Sequence, residues 1–398
     1  MDIEEPRRLG TAVLDELLTD AVADGVVPQV VAIVADASGV LYERAVGPRS
    51  VGSEDPVSGA SRFSVMSMTK MVTTTAALQL IEQGRLDLDT PVDEYCPQFA
   101  AIEVLEGFDG DRPVLRTPFA RATVRHLLTH TSGFAYWFWD ERIRRWEELT
   151  GAPNVGTGTK AALMAPLVSD PGTTFSYGIS TDWLGLVVEV VAGTSLGDYV
   201  RTNITAPLGM AHTGFSITAN ERDELVPIHV GDQVRGWHPL DPADYPNPEY
   251  DNGGSGLYST PRDYMTFQRM LLGRGEVDGV RVLRAETVSE AFSNQIGTLA
   301  VPEWISTADP NASCDVQLGQ NRTWGYGLLM NTDHEPGMRS AWSGGWVGLA
   351  NCYYWIDPAA GLAGALYAQR MPFGVPDMIS LFTGFERQVY SAFRGETA

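Results

Sequence analysis

The residues best suited to chemistry are a serine and a lysine three positions apart. Lys70 and Lys160 are the only two lysines in the chain, and Lys70 closes the element Ser67-Met68-Thr69-Lys70. In a helix, residues three apart lie on the same face, one turn from each other. A lysine in a dry pocket can lose its proton and act as a base, whereas arginine cannot. The pair therefore has the composition of a nucleophile with its own base.

Because Ser67 stands at the start of a predicted helix, its backbone is a candidate oxyanion donor in addition to the nucleophile and the base. The run SMTKMVTTTAALQLIEQG predicts a helix that begins at Ser67 and is closed by Gly84. The first backbone N–H groups of a helix have no internal partner, so the Ser67 N–H is predicted to stabilise an oxyanion. The structural alternative is that Ser67 is an N-cap and Lys70 a solvated surface residue.

The order of predicted elements indicates how these residues are positioned. An amphipathic helix over residues 8–24 precedes two strands, VPQVVAIVAD and GVLYERAV, which read as a hairpin. Helical stretches follow, strand-like runs return at GYGLLMN, NCYYWID and LAGALYAQ, and a last helix covers SLFTGFERQVYSAF. This order predicts an α/β domain built from residues 1–64 and 275–398 and a mostly helical inserted domain at 65–274.

Three further motifs give the chain a family resemblance. They are Leu127-Leu128-Thr129-His130-Thr131-Ser132-Gly133, Pro171-Gly172-Thr173-Thr174-Phe175-Ser176-Tyr177, and Trp346-Val347-Gly348 ahead of the strand-ending Asp357. With the S-x-x-K element, they make the sequence resemble the serine β-lactamase and penicillin-binding protein superfamily from about residue 10 to 392. Its nearest likeness is to the β-lactamase-like family VIII carboxylesterases. The resemblance implies a β-lactamase/transpeptidase-like fold, an antiparallel sheet flanked by helices with an inserted helical domain. It also implies that the active site lies at the junction of the two domains.

The resemblance also implies a set of catalytic roles. Ser67 is the acylated nucleophile, and Lys70 and Tyr177 share the task of moving its proton. A W-x-G strand at Trp346 replaces the K-T-G strand of true β-lactamases. The backbone N–H of Leu349 is then the second oxyanion donor, together with that of Ser67.

Further residues are expected at the substrate pocket by the same likeness: Trp346, Gly348, Tyr136 and Ile179. Tyr136 has core packing as an equal alternative. The W-x-G element could also begin at Trp342, and Trp346 is preferred for its distance to the following strand end.

The chain departs from the β-lactamase pattern in two places. The asparagine of the Y-x-N element is replaced by Ile179, and no lysine follows Lys160, so the K-T-G lysine is absent. These two residues would contact a substrate amide and a substrate carboxylate. An arginine such as Arg339 could replace the lysine, although nothing in the sequence requires it.

Several motifs resemble catalytic elements and are interpreted structurally. The G-x-S-x-G match around Ser195 follows a helical run rather than the strand that this motif needs, so Ser195 is read as a helix cap. His130 is read as a histidine that holds its loop. The Gly-rich run 253–258 is read as a tight loop before a helix.

Composition limits the partners. A net charge of −22 argues against nucleic acid and anionic membranes. Three cysteines without a CxxC pair, and histidines without metal-ligand spacing, predict no disulfide framework, metal or cofactor. The start of the chain lacks the pattern of a signal peptide, and no run of eighteen apolar residues occurs, so a cytoplasmic protein without a membrane span is expected.

The sequence thus predicts a serine carboxylic-ester hydrolase that acts on small, neutral, short-chain esters through an acyl-enzyme on Ser67. The alternatives are an acyltransferase that uses the same acyl-enzyme and a β-lactamase or D-alanyl carboxypeptidase. A non-catalytic binding homologue is the last of them.

Overall fold

The computed structural model describes residues 11–232, 234, 236–241 and 247–394. The α-helices are α1 (Ala12–Ala23), α2 (Thr69–Glu82), α3 (Val92–Tyr95), α4 (Val124–Leu128), α5 (Glu141–Thr150), α6 (Ser180–Ala192), α7 (Leu196–Val200), α8 (Ala219–Asp223), α9 (Pro261–Leu272), α10 (Ala285–Ala291) and α11 (Pro376–Arg394). Short helices of 3₁₀ or π type cover Met66–Met68, Pro97–Ala101, Val155–Thr157, Lys160–Met164 and Arg201–Thr205.

The strands are distributed along the chain from residue 30 to residue 367. They are β1 (Val30–Ala35), β2 (Val40–Val46), β3 (Phe63–Ser64), β4 (Val104–Asp109), β5 (Arg112–Arg116), β6 (His229–Asp232), β7 (Gly236–Pro239), β8 (Tyr258–Ser259), β9 (Glu276–Val277), β10 (Val280–Arg281), β11 (Trp304–Ile305), β12 (Val316–Gln317), β13 (Arg322–Trp324), β14 (Leu329–Asn331), β15 (Gly344–Gly348), β16 (Cys352–Asp357) and β17 (Leu362–Tyr367).

The central sheet joins the two ends of the chain, as the sequence predicts. Its seven strands follow the order β13-β14-β15-β16-β17-β1-β2, and neighbouring strands pair antiparallel. The first predicted hairpin is present, because β1 pairs with β2 from Val30 opposite Val46. Every residue of β1, β16 and β17 is buried.

Helices cover both faces of this sheet, which explains why its central strands read as continuous apolar runs. Successive side chains of a strand point to opposite faces. Val30, Ala32 and Val34 accordingly enter a core with α1 and α11, while Val31 and Ile33 enter a second core with α2 and α9.

The segment between β2 and β13 is mainly helical and is built around α2. Residues 69–80 of this helix are all buried, since α6 and α7 pack against it. The helix begins at Thr69 rather than at Ser67, which lies in the 3₁₀ turn Met66–Met68 directly before it. The predicted start at Ser67 is therefore wrong by two residues, although Ser67 stays at the N-terminal end of the helix.

The N-terminal helix and the division into domains are two other features that the sequence predicts. The N-terminal helix is observed as α1, and the part of the predicted range before residue 11 lies outside the described residues. The division at 65–274 remains a prediction, because α9 belongs to that segment by sequence and yet packs against β1 and β17.

No single helix in the described part of the chain is long and apolar enough to cross a membrane. Taken together, the pair Ser180–Ala192 and Leu196–Thr205 has the necessary length and composition, but it is bent by 74°.

Candidate active site

Ser67 and Lys70 meet at the N-terminal end of α2. The Lys70 Nζ lies 3.1 Å from the Ser67 Oγ. The turn that presents Ser67 is sharp, because Met66 has a φ of 47°, in the left-handed region that residues with a side chain rarely adopt. Backbone of this kind persists only where the surrounding structure enforces it, and it is concentrated at functional sites.

The Lys70 amine has two further partners. Its Nζ donates to the Tyr136 hydroxyl at 2.9 Å and to the Gly254 carbonyl at 2.8 Å. The side chain is buried, and burial lowers the pKa of Lys70 to about 7, while the Asp182 carboxylate opposes this shift. A neutral amine keeps two N–H groups for Tyr136 and Gly254 and directs its lone pair at Ser67. The geometry thus suits a base that takes the Ser67 proton.

Tyr177 lies on the other side of the nucleophile. Its hydroxyl accepts a hydrogen bond from the Trp346 indole N–H at 2.7 Å and also hydrogen-bonds with the Ser67 side chain. Burial raises the pKa of Tyr177 far above its ordinary value, so the hydroxyl keeps its proton at neutral pH. The Tyr177 hydroxyl can therefore relay a proton, but it is not ionised in the resting protein.

The strand β15 brings Trp346 to this position. Trp346 is buried in β15, and its ring packs against the rings of Tyr177 and Trp324, with centroids 4.7 and 4.8 Å away. Trp342, the other candidate for the start of the W-x-G element, lies in the turn before the strand and is 46% exposed. Of the two tryptophans, it is Trp346 that reaches the site.

The end of β15 runs against the segment that leads into Ser67. A Cβ atom on Gly348 would lie 2.6 Å from the Val65 carbonyl oxygen, so no larger residue fits there without a shift. Leu349 follows directly and lines the same cavity as Ser67. This close approach places the end of β15 beside the segment that carries Ser67, and the role of the Leu349 N–H as the second oxyanion donor stays a prediction.

Ser67 opens onto a cavity of about 780 Å³. Its lining includes the aromatic residues Tyr136, Phe138, Phe215 and Tyr250 and the charged residues Lys160 and Glu189.

The residues that the sequence predicts for the pocket differ in where they lie. Tyr136 is on the cavity wall, where its hydroxyl also contacts Lys70. Trp346, Gly348 and Ile179 are buried and are not among the residues that line the cavity. Ile179 is the residue before the first turn of α6, and its side chain packs in the hydrophobic core.

The motifs interpreted as structural have structural contacts. The Ser195 side chain accepts the Asp198 N–H at 3.1 Å, and the helix α6 precedes it. His130 is buried against the Tyr177 ring, with centroids 4.7 Å apart, and burial holds its pKa well below the ordinary value. Arg339 forms a bidentate ion pair with Glu386 on α11, at 2.7 and 2.5 Å, and does not line the cavity. It therefore does not replace the missing lysine.

Sequence reasoning missed two contributors to the site. The loop at 253–258 was expected to be structural only, but its Gly254 carbonyl binds Lys70. Asp182 is buried in the first turn of α6 and interacts electrostatically with Lys70. The only signal in the sequence was an acid in the first turn of a mainly apolar helix. Within the residues that the structure describes, no group of three or more His, Cys, Asp or Glu is placed to hold a metal ion.

Comparison with known proteins identifies the family. A family model described as beta-lactamase matches residues 14–379. The chain therefore belongs to the beta-lactamase family, and its fold is of the β-lactamase/transpeptidase type.

Individual relatives are similar over almost the whole chain. The monacolin J acid methylbutanoyltransferase of Aspergillus terreus is 31% identical, over 94% of this chain and 94% of the relative. The lovastatin esterase of Penicillium rubens is 30% identical, over 96% and 100%. A mutant of simvastatin synthase (LovD) from Aspergillus terreus has a similar structure, with a TM-score of 0.84 and 30% identity over 96% of this chain and 97% of that one.

Proposed function

We propose that this protein is a serine acyltransferase that carries an acyl group on Ser67 and passes it to the hydroxyl of a bulky, mainly apolar alcohol. The observation that carries the proposal is the arrangement of Ser67, Lys70 and Tyr177 at the base of one large cavity. Water competes with the alcohol, so ester hydrolysis is expected as a side reaction.

The first half of the reaction forms the acyl-enzyme. The Ser67 Oγ attacks the donor carbonyl, its proton moves to the Lys70 amine, and the N–H groups of Ser67 and Leu349 stabilise the oxyanion. The bond from the acyl carbon to the leaving group then breaks, and the Tyr177–Lys70 pair returns the proton to that group. In the second half an acceptor hydroxyl attacks the acyl carbon and gives its proton to the same pair, which returns it to Ser67 as the new ester leaves.

The size of the cavity favours transfer to a large acceptor over simple hydrolysis of short esters. Small-molecule sites commonly measure about 300–1,000 Å³ and surround a ligand of drug size. A volume of about 780 Å³ leaves most of the space unused by a short acyl chain. The aromatic residues Tyr136, Phe138, Phe215 and Tyr250 in the cavity lining suit an apolar ring system in the acceptor.

The relatives support acyl-group chemistry and include both outcomes, transfer and hydrolysis. A protein named as a methylbutanoyltransferase and a protein named as an esterase are each similar to the chain over nearly its full length. The second candidate is therefore an esterase of the family VIII type that uses the same acyl-enzyme. A β-lactamase or D-alanyl carboxypeptidase has less support, because the K-T-G lysine is absent and Arg339 is paired with Glu386 and does not line the cavity.

A partition experiment separates transfer from hydrolysis. The purified protein is given p-nitrophenyl butyrate together with equal concentrations of methanol or of a bicyclic alcohol such as borneol. We expect the butyryl ester of the bicyclic alcohol to exceed both the methyl ester and free butyrate, and Ser67→Ala to abolish all three. Butyrate as the sole product with either alcohol would show that the protein is an esterase.

A further inference from the structure

Asp182 is a buried carboxylate that the acyl-transfer steps described above do not use. The residue is 1% exposed and lies in the first turn of α6. Its Oδ1 accepts the Gly254 N–H at 3.2 Å, and its Oδ2 has no hydrogen-bond partner within the described residues. Because a buried carboxylate without compensation is strongly unfavourable, its presence calls for a nearby positive charge.

The nearest such charge is that of Lys70, which shares Gly254 with Asp182. The Gly254 carbonyl accepts the Lys70 Nζ, and the Gly254 N–H faces the carboxylate. A Cβ atom on Gly254 would lie 2.3 Å from the Asp182 Oδ2, so this approach requires a glycine. Burial raises the pKa of Asp182, and the Lys70 charge opposes that shift.

Among the described residues, Asp182 is the one acid whose charge acts on the Lys70 amine. The remaining titratable groups that face the pair are phenols, which burial keeps protonated, and one histidine, which burial keeps neutral. They are Tyr136, Tyr177 and Tyr250, and His130. The electrostatic partner of the lysine is therefore the carboxylate of α6.

We propose that Asp182 is a positioning residue that holds Lys70 through Gly254 and stabilises the ammonium formed when Lys70 takes the proton of Ser67. The proposal rests on the proposed function only in requiring an acyl-enzyme on Ser67. During acylation the Ser67 O–H bond breaks, an N–H bond forms on Lys70, and Asp182 remains a carboxylate throughout. Its negative charge makes Lys70 a stronger base than burial alone would allow.

Asp182→Asn tests this role with little change of shape. The amide oxygen can still accept the Gly254 N–H, and Asn252 Oδ1 also accepts that N–H, at 3.1 Å, so the loop keeps its support. The pH profile of kcat/KM for p-nitrophenyl butyrate reports the ionisation of the free enzyme, whether water or an alcohol accepts the acyl group. Asp198→Asn, on the exposed side of α7, is the matched control for the loss of one negative charge.

In the wild-type protein kcat/KM should fall at low pH, on the acidic limb of the profile, as Lys70 becomes protonated. We expect Asp182→Asn to move this limb to lower pH by at least about one unit, since loss of the nearby negative charge lowers the pKa of Lys70. The plateau rate should also fall, by about tenfold or more, because the weaker base accepts the proton less readily. Asp198→Asn should leave the limb in place. A lower rate with an unmoved limb would show a merely structural role and overturn the proposal, as would an unchanged profile.

A second measurement covers the case in which Asp182→Asn does not fold. The chain has two lysines, so ¹³C-lysine labelling gives two Cε signals, and Lys160→Arg assigns them. In the wild-type protein the Lys70 signal should titrate with two inflections, one from each member of the pair. A single inflection would overturn the proposal. If the wild-type serine is not acylated at all, the proposed function fails first, and the ¹³C result still stands by itself.

Discussion

At the scale of single residues, the site depends on the hydrogen bonds among the side chains around Ser67. Lys70 contacts the Ser67 side chain, which also hydrogen-bonds with Tyr177, and the Tyr177 hydroxyl in turn accepts the Trp346 indole N–H. Since residues that act as a unit are not additive, Lys70→Ala combined with Tyr177→Phe should be little worse than either change alone.

The pH dependence of wild-type activity follows from Lys70. Acylation needs the neutral amine, and burial lowers the pKa of Lys70 to about 7. Activity should therefore fall as the pH drops through about 7, because the amine becomes protonated. Lys70→Arg should lose activity by several orders of magnitude at every pH, since arginine cannot act as a base. A pH–rate profile checks both, and an active Lys70→Arg protein would contradict the assigned role.

Trp346→Phe isolates the hydrogen bond to Tyr177. The change keeps an aromatic ring but removes the donor, and one hydrogen bond of about 1.5 kcal/mol corresponds to roughly tenfold in kcat/KM. Trp304→Phe, at a side chain that is 54% exposed, is the control and should have no effect. Equal activity of the two variants in an ester assay would mean that Trp346 only fills space.

At the scale of elements, the close approach of β15 to the turn before α2 assembles the site. Gly348→Ala should force these two segments apart, because the added Cβ would meet the Val65 carbonyl at 2.6 Å. Loss of one oxyanion donor lowers kcat by about 10²–10³, and we expect a loss of that order in single-turnover acylation. Gly107→Ala, where an added Cβ meets nothing within 4 Å, is the control. Full activity of Gly348→Ala would argue against the Leu349 N–H as a donor.

The same elements show what the sequence can and cannot predict. The buried strands β1, β16 and β17 are visible because each is a short apolar run, and Ser67 and Lys70 because their spacing is local. The hairpin of β4 and β5 was missed, since most of its residues are not buried and its apolar and polar side chains do not alternate regularly. Asp182 was missed for another reason: α6 and the 253–258 loop meet only in the folded protein, so no local pattern connects Asp182 with Gly254 and Lys70.

At the scale of the whole molecule, an ion pair that stabilises the fold lies apart from the catalytic residues. The ion pair of Arg339 and Glu386 lies on the α11 side of the sheet, and neither residue lines the cavity. Glu386→Ala leaves a largely buried guanidinium without its ion-pair partner, which should lower the free energy of unfolding by about 3 kcal/mol. Urea unfolding measures this loss, and kcat at 25 °C should stay close to wild type. Arg201→Ala removes an exposed pair and should barely change the midpoint. A large loss of kcat in folded Glu386→Ala would contradict this separation.

The most direct test of the central claim is the mass of the intact protein during turnover. After rapid mixing with p-nitrophenyl butyrate and acid quenching, the wild-type protein should gain the mass of one butyryl group, and peptide mapping should place it on Ser67. Addition of an acceptor alcohol before the quench should remove the label and release the butyryl ester. Ser67→Ala should gain no mass, whereas Ser195→Ala should be labelled like wild type. Turnover without any label on Ser67, or a label on another residue, would contradict the account.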